Sequence, residues 1–406
     1  MYLEATGNIR LETEKCLNRL YRGVECRTCA TQCPATALSL EEGKLQFDEE
    51  ACVNCGLCLS QCPTGVFWLE EWDEQKLISH AKTAKEQTVA LFCGRHQKAF
   101  RKAKDVACFQ VPMCLGGLTK AALFEIGVDK QVEMMLDECD GCEWKHCRET
   151  VEHLAKQVNE MIFACCNQTS LSLMEMRPEE EKGRKNKAML TGEKACSRRD
   201  IMFRLLDAGR RAVVSEKAKP KMAGPGAAAG PVVNGVRTGR KMAFRPEWMD
   251  RLKAAYRQAY ERTDLHAKQE EKAGSAHGEA AFWPSVRIRR NCTNCNMCAS
   301  FCPTGALRIE VEEQSEPLVA SHYFQPMLCA DCRLCEAVCP IEAIVRDRMP
   351  VERPFVTQII CRGEVVPCKK CGALTYNVSS GRCYWCGSEA SVDDIKRAVR
   401  LKLGKK

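Results

Sequence analysis

Apolar and polar residues follow two different periods in the middle of the chain, between about residues 85 and 170. Apolar runs of strand length occur three times, at Val89–Cys93, Val106–Val111 and Val132–Leu136. Helical spacing is found at Leu118–Ile126 and at Glu149–Phe163. Strands that alternate with helices favour a parallel sheet. We therefore predict a small α/β domain over this stretch.

Two amphipathic helices are predicted around a stretch rich in Gly, Pro and Ala, residues 217–239. The apolar residues of the first helix are Ile201, Met202, Leu205, Leu206 and Val213. The second helix, about residues 246–272, has an apolar stripe formed by Trp248, Leu252, Tyr256 and Tyr260. We assign residues 171–245 to a linker with one helix, and residues 246–283 to the second helix and a connection. A flexible linker would let the C-terminal part of the chain dock separately.

Cysteine determines the rest of the interpretation, because 30 of the 406 residues are cysteine. The spacing Cys-x2-Cys-x2-Cys-x3-Cys-Pro occurs three times, beginning at Cys52, Cys292 and Cys329. A shorter run begins at Cys26. In a [4Fe–4S] ligand run, three thiolates hold one cube and the cysteine before proline binds the neighbouring cube. Since the runs come in pairs, we predict a multidomain protein of the α+β and α/β classes, with ferredoxin modules at residues 1–70 and 284–350 and four [4Fe–4S] clusters.

The C-terminal pair of runs resembles bacterial two-cluster ferredoxins over its whole length. Each run ends in Cys-Pro followed by small and apolar residues, Pro303–Leu307 and Pro340–Ile344. The resemblance implies that one cube is held by Cys292, Cys295, Cys298 and Cys339. It implies that the other cube is held by Cys329, Cys332, Cys335 and Cys302.

The N-terminal pair is the same module with an irregular first run. Gly23 stands where the first ligand is expected, and the nearest spare thiol is Cys16. If an insertion has lengthened this loop, one cube is held by Cys16, Cys26, Cys29 and Cys62. The other cube is then held by Cys52, Cys55, Cys58 and Cys33. Otherwise the first site has three thiolates, which suit a [3Fe–4S] cluster or a cube with one labile iron.

Several cysteines stand at or near the ends of the central strands, where ligands converge in parallel sheets. The segment resembles the delta subunit of methyl-viologen-reducing hydrogenases, through Val111–Gly117, Phe124–Asp129 and Cys139–Cys147. That family passes electrons between a hydrogenase or formate dehydrogenase and heterodisulfide reductase. The resemblance implies a [2Fe–2S] cluster bound by Cys93, Cys114, Cys139 and Cys147, with Cys142 in reserve. The family's early Cys-x2-Cys is absent here, since His96 stands three residues after Cys93. The alternative is a docking domain with inert buried thiols.

A last set of cysteines lies in residues 355–406, which end in a basic tail. Two Cys-x2-Cys pairs are separated by 11 residues, and a glycine follows each pair. Four thiolates at this spacing predict a zinc ribbon. Its metal ligands are Cys368, Cys371, Cys383 and Cys386. Rubredoxins bind a single iron with similar pairs that are much further apart. Cys361 is left over as a buried thiol without a metal.

Charge and local composition narrow the function. The formal charge is +8, but four cubes of about −2 each would cancel it, so we expect no nucleic-acid partner. The first residues lack the features of a secretion signal, and no apolar run has the length of a membrane span. Disulfides are therefore not expected, and we predict a cytoplasmic protein of anaerobic metabolism.

No flavin, nicotinamide or phosphate-binding motif occurs in the sequence, so we expect no small-molecule substrate. We interpret the chain as a polyferredoxin-type subunit that relays single electrons between larger redox enzymes, such as hydrogenase, formate dehydrogenase or heterodisulfide-reductase-like partners. Whether it is itself an enzyme stays open. The alternatives are an iron–sulfur and zinc redox-responsive regulator, and an oxidoreductase that acts at the irregular N-terminal cluster.

Overall fold

The computed structural model describes residues 8–21, 24, 26–95, 105–144, 146–166, 168, 170–175, 189–190, 232–233, 236–237, 245–270, 282–351 and 353–388. The predicted helix around Leu205, most of the Gly/Pro/Ala stretch, the basic tail, Gly23 and His96 lie outside these residues. Helices and several small sheets combine in the described part of the chain, as in a multidomain α+β protein. None of the helices described is long and apolar enough to cross a membrane.

The N-terminal module is built from short elements that include two antiparallel pairs of strands. Its elements are β1 (Ile9–Leu11), α1 (Leu17–Leu20), α2 (Thr28–Gln32), β2 (Leu38–Glu41), β3 (Lys44–Phe47), α3 (Leu57–Gln61) and β4 (Phe67–Leu69). Strand β1 pairs antiparallel with β4, and β2 pairs antiparallel with β3. Helices α2 and α3 end at Cys33 and Cys62, whose backbones are extended with ψ of 114° and 119°. Both precede proline, which disfavours helical backbone in the residue before it.

The central domain contains the predicted alternation of strands and helices. Its elements are α4 (Glu74–Thr83), β5 (Thr88–Phe92), β6 (Val106–Gln110), α5 (Lys120–Gly127), β7 (Gln131–Met135), α6 (His146–Cys166), β8 (Leu171–Met174) and β9 (Met189–Leu190). The strands form one sheet in the order β8-β7-β5-β6-β9, and every neighbouring pair is parallel. The prediction of a parallel sheet is therefore confirmed.

The sheet extends past the domain boundary that the sequence predicts at residue 170. Strands β8 and β9 both lie in the segment assigned to the linker. In β8 only Leu171 is buried, whereas Leu173 and Met174 are exposed at the sheet edge. Residues 171–174 read Leu-Ser-Leu-Met, which is too short a segment for the period of a strand to stand out. Further along, β10 (Val232–Val233) and β11 (Val236–Arg237) form a short antiparallel pair.

Helix α7 (Glu247–Glu270) joins the central domain to the C-terminal module. The ring of Tyr256 is fully buried, stacks on Phe124 of α5 with ring centroids 5.4 Å apart, and meets the edge of Trp283 at 5.6 Å. On the same helix, Arg251 makes an ion pair with Glu74 of α4 at 2.5 Å. The predicted apolar stripe thus packs within the chain. The two halves of the chain are in contact, so the expectation that the C-terminal part docks separately is wrong for the described residues.

The C-terminal module repeats the N-terminal plan and adds strands. Its elements are β12 (Phe282–Ile288), α8 (Met297–Ser300), β13 (Leu307–Glu312), β14 (Val319–Phe324), α9 (Leu334–Ala337), β15 (Ile344–Pro350) and β16 (Gln358–Glu364). Strand β12 pairs with β15 as β1 does with β4, and β13 pairs with β14 as β2 does with β3. Strand β16 extends the second sheet. The ribbon follows with β17 (Val366–Pro367), β18 (Leu374–Thr375) and α10 (Tyr384–Gly387).

Replacing Tyr256 tests the junction between the two halves. Tyr256→Ala removes a ring that contacts both α5 and Trp283, and we expect it to lower the free energy of unfolding by about 3 kcal/mol. Tyr256→Phe keeps the ring and should cost less than about 1 kcal/mol. The measurement is anaerobic urea unfolding of the metal-loaded protein, followed by tryptophan fluorescence. Equal midpoints for Tyr256→Ala and the unchanged chain would contradict this role.

Candidate metal centres

The ribbon cysteines converge on one point, which we call the ribbon site. The sulfur atoms of Cys368, Cys371, Cys383 and Cys386 all lie within 4.8 Å of one another. Hydrogen bonds from backbone amides lower the pKa of Cys368 to about 6, and the bond with the backbone of Cys383 has the largest effect. A thiol that ionises easily favours metal binding, because the metal binds the thiolate. Four thiolates in this arrangement fit one tetrahedral ion such as zinc.

The ribbon also packs on the ligand loop that follows Cys292. Thr375 is fully buried, and its hydroxyl donates to the carbonyl of Thr293 at 3.0 Å. The side-chain amide of Asn294 donates to the carbonyl of Leu374 at 3.2 Å. Cys361 lies nearby, beside the side chain of Tyr376, whose hydroxyl donates to the carbonyl of Ala320 at 2.9 Å. The ribbon is therefore part of the wall around the first C-terminal cluster position.

The C-terminal ferredoxin cysteines lie close together in the structure, and for them we keep the two groups that the resemblance implies. Site A denotes Cys292, Cys295, Cys298 and Cys339. Site B denotes Cys302, Cys329, Cys332 and Cys335. Burial raises the pKa of Cys298, and repulsion from Cys295 and Cys292 adds to the rise. Burial likewise raises the pKa of Cys332, with Cys329 and Cys302 as its charged neighbours. Each group is thus crowded and dry, as a cluster pocket must be.

The irregular N-terminal run has a fourth thiol within reach. Site C denotes Cys16, Cys26, Cys29 and Cys62, which together line one cavity. Asn18 of α1 closes the long loop, since its side chain accepts from the Cys26 amide at 2.6 Å and donates to the Cys26 carbonyl at 2.9 Å. This places Cys16 and Cys26 on the same cavity. The geometry favours the four-thiolate interpretation over the three-thiolate one.

The second N-terminal group lines a neighbouring cavity. Site D denotes Cys33, Cys52, Cys55 and Cys58, which together line this second cavity. Cys29 of site C also lines this cavity, so sites C and D are adjacent. Burial raises the pKa of Cys55 to about 11. Neutral thiols are therefore favoured until iron binds, because only a cation compensates the buried charge.

Left-handed backbone wraps the ligand loops around each cube position. The residues on either side of the second cysteine have positive φ in three runs: Asn54 and Gly56, Asn294 and Asn296, Asp331 and Arg333. Asn, Asp and Gly tolerate this conformation better than other residues do. The conformation turns successive thiols toward one centre. Positive φ on both sides of the second cysteine thus recurs in the three regular ligand runs.

Backbone amides donate to three of the cysteines that precede proline. The amide of Val66 lies 3.4 Å from the sulfur of Cys62, that of Leu307 lies 3.4 Å from Cys302, and that of Ala343 lies 3.2 Å from Cys339. Hydrogen bonds to ligand sulfur stabilise the more negative, reduced cluster. The sequence predicts the cysteines but not these donors, which follow from the turn after each proline.

The central cysteines meet at the carboxyl ends of the strands. Site E denotes Cys93, Cys114, Cys139 and Cys147. Burial raises the pKa of Cys139 to about 12, with Cys114, Cys93 and Cys142 as charged neighbours. The sulfur atoms of Cys114 and Cys147 are hydrogen-bonded to each other. The structure thus brings the four predicted residues together with Cys142, whereas Cys108 belongs to a separate apolar cluster.

Site E lies against site D. The amide of Cys114 donates to the carbonyl of Cys55 at 3.1 Å, and the hydroxyl of Ser60 donates to the carbonyl of Gly116 at 2.7 Å. The approach is so close that a Cβ atom on Gly117 would lie 3.0 Å from the carbonyl group of Gly56. A single backbone hydrogen bond therefore connects Cys55 of site D with Cys114 of site E.

Site C lies against site B. Leu17, Tyr21, Val24 and Leu334 form a small buried cluster against which Cys26 and Cys332 pack. The rings of Tyr21 and Phe301 stack with centroids 4.8 Å apart. Residues about 280 positions apart thus bring the two ferredoxin modules together. Sites A and B share the C-terminal module, where Cys298 and Cys335 are charged neighbours.

Two segments of the chain, residues 22–66 and 291–343, match the family model described as a 4Fe-4S dicluster domain. The chain contains two iron–sulfur modules, each for two clusters. The prediction of paired [4Fe–4S] modules is confirmed at this level. The N-terminal match begins after Cys16, and the comparisons show no match to the hydrogenase delta family. No curated protein and no solved structure matches the chain significantly.

Replacing Cys16 tests whether site C has four thiolates. Cys16→Ala should leave three ligands, and we expect one iron fewer per chain together with a [3Fe–4S] signal in the electron paramagnetic resonance (EPR) spectrum of the oxidised protein. Cys108→Ala is the matched control and should keep the full iron content. An unchanged spectrum and iron content in Cys16→Ala would show that Cys16 is not a ligand.

Proposed function

We propose that the chain is a polyferredoxin-type electron-transfer subunit in which five clusters form one continuous relay. Iron and sulfide at sites A to D would supply one-electron chemistry at low potential. Site E would supply a fifth, [2Fe–2S] cluster, and the ribbon site would hold zinc. The residues named above hold these groups, exclude water from them and donate hydrogen bonds to their sulfur ligands.

The observation that carries the proposal is the order of the sites. They follow one another as A, B, C, D and E, and each shares a cavity, an apolar contact or a hydrogen bond with the next. Two of these contacts are not predicted by the sequence. They are the ring stacking of Tyr21 and Phe301 between sites B and C, and the backbone hydrogen bond from Cys114 to Cys55 between sites D and E. Electron transfer requires such short steps, whereas a metal-responsive regulator has no need of them.

The arrangement at site C argues against catalysis at this cluster. A cube that acts on a substrate needs an iron with an open position, and the irregular run is the best candidate for one. Cys16 is only 8% exposed and lines the cavity with the other three thiols. A fourth thiolate closes the open position. We therefore favour a relay over an oxidoreductase that acts at this site.

Larger redox-enzyme subunits are the proposed partners, and the site E end is the proposed contact. The loop from Cys139 to Glu143 follows β7, and its residues Asp140, Gly141 and Glu143 are exposed. The resemblance of this domain to the hydrogenase delta family supports a hydrogenase, formate dehydrogenase or heterodisulfide-reductase-like partner. Oxygen-sensitive clusters support an anaerobic, cytoplasmic setting.

A reductive titration of the anaerobically purified full chain tests the proposal. We expect uptake of about five electrons per chain, one for each cluster, with EPR signals that show coupling between neighbouring reduced clusters. A Cys114→Ala variant should take up about four electrons, because it lacks a ligand of site E. Uptake of two or fewer electrons by iron-replete protein would contradict a relay.

A further inference from the structure

A buried guanidinium lies beside the ligands of site B. The side chain of Arg346 is 4% exposed, and its Nη2 atom is 3.7 Å from the sulfur of Cys329. Arg346 also makes an ion pair with Asp331, which stands between the ligands Cys329 and Cys332. Its Nε has no hydrogen-bond partner among the described residues. The positive charge is thus held at the cluster position rather than in solvent.

The position of Arg346 in a paired strand keeps its side chain beside site B. Arg346 lies in β15, where it is paired with Val286 of the neighbouring strand β12. Val286 is 2% exposed, so this part of the strand belongs to the interior of the module. Asp331 is 43% exposed, and water screens its charge. The buried cation therefore acts on site B more strongly than its half-exposed partner does.

The neighbouring sites have a different electrostatic environment. At site A, the groups that act on Cys292 are uncharged or are other thiols, with Cys361 and Cys295 among them. At site C, the charged groups that act on Cys16 are the thiols of Cys26 and Cys62. At site D, the carboxylate of Glu49 acts on Cys52. A nearby positive charge favours the reduced cluster, which is the more negative one, and a negative charge disfavours it. The buried cation at site B therefore raises its reduction potential relative to sites A, C and D.

We propose that Arg346 gives site B the highest reduction potential of the four [4Fe–4S] clusters, so that the first electron resides at the junction of the two ferredoxin modules. The inference rests on the proposed relay function. A low-potential one-electron donor supplies the electron, no bond is made or broken, and no proton is needed because arginine stays charged. The hydrogen bond from Nη2 to Cys329 becomes stronger as the sulfur gains negative charge.

Potentiometric titration with EPR detection tests the proposal on the full chain. Arg346→Gln should lower the reduction potential of the first-reduced cluster. We expect the equilibrium constant for its reduction to fall at least tenfold, which is about 59 mV for a one-electron couple. Arg346→Lys keeps the charge and should retain most of the effect. Asp331→Asn removes the opposing charge and should shift the same cluster the other way. Arg287→Gln on β12 is the matched control, since its side chain is 65% exposed, and should shift none.

Opposite shifts for Arg346→Gln and Asp331→Asn, confined to the first-reduced cluster, would support the assignment. A structural disturbance would move both variants in the same direction, or would move several clusters, and either result would overturn it. If Arg346→Gln fails to assemble, an unshifted Asp331→Asn alone overturns the proposal, because Asp331 is half-exposed and tolerates replacement. If none of the clusters can be reduced reversibly, the proposed relay function itself is contradicted.

Discussion

Crowding of buried thiols is the constraint on which the rest of this structure depends. Burial raises the pKa of Cys29 and of Cys292 to about 12, and neighbouring thiolates push the same way. Sulfur ligands held so close together are unfavourable until iron binds, since iron replaces the protons and supplies positive charge. In the C-terminal module the ligands Cys298, Cys335 and Cys339 are themselves part of the buried apolar cluster. We therefore expect metal binding to stabilise the folded ligand loops.

The same constraint explains the compact joints between sites. A ligand loop that wraps a cube exposes its backbone on the outer side, and these polar groups need partners when another module covers them. Cys114 provides one for Cys55, and Ser60 provides one for Gly116. Glycine at positions 56 and 117 permits the approach, because any side chain there would collide with the facing loop. The close approach of sites D and E is a consequence of packing that satisfies the backbone polar groups.

Much of this could be predicted from the sequence, because ligand spacing and strand patterns are local. The strands β5, β6 and β7 of the central domain are apolar runs, and the cysteine runs indicate their clusters directly. Cys16 could be proposed because it was the nearest spare thiol. The contact of Tyr21 with Phe301 could not be predicted, because no local sequence pattern indicates which distant residue each ring packs against. Arg346 stands in a charged Arg-Asp-Arg sequence that is typical of a solvated surface.

Anomalous diffraction from anaerobically grown crystals, recorded at the iron and zinc edges, tests the continuous relay most directly. We expect iron at sites A, B, C, D and E in a single row, with B and C adjacent, and zinc at the ribbon site. A gap in the row between sites B and C, or a site C without iron in otherwise loaded protein, would contradict the account.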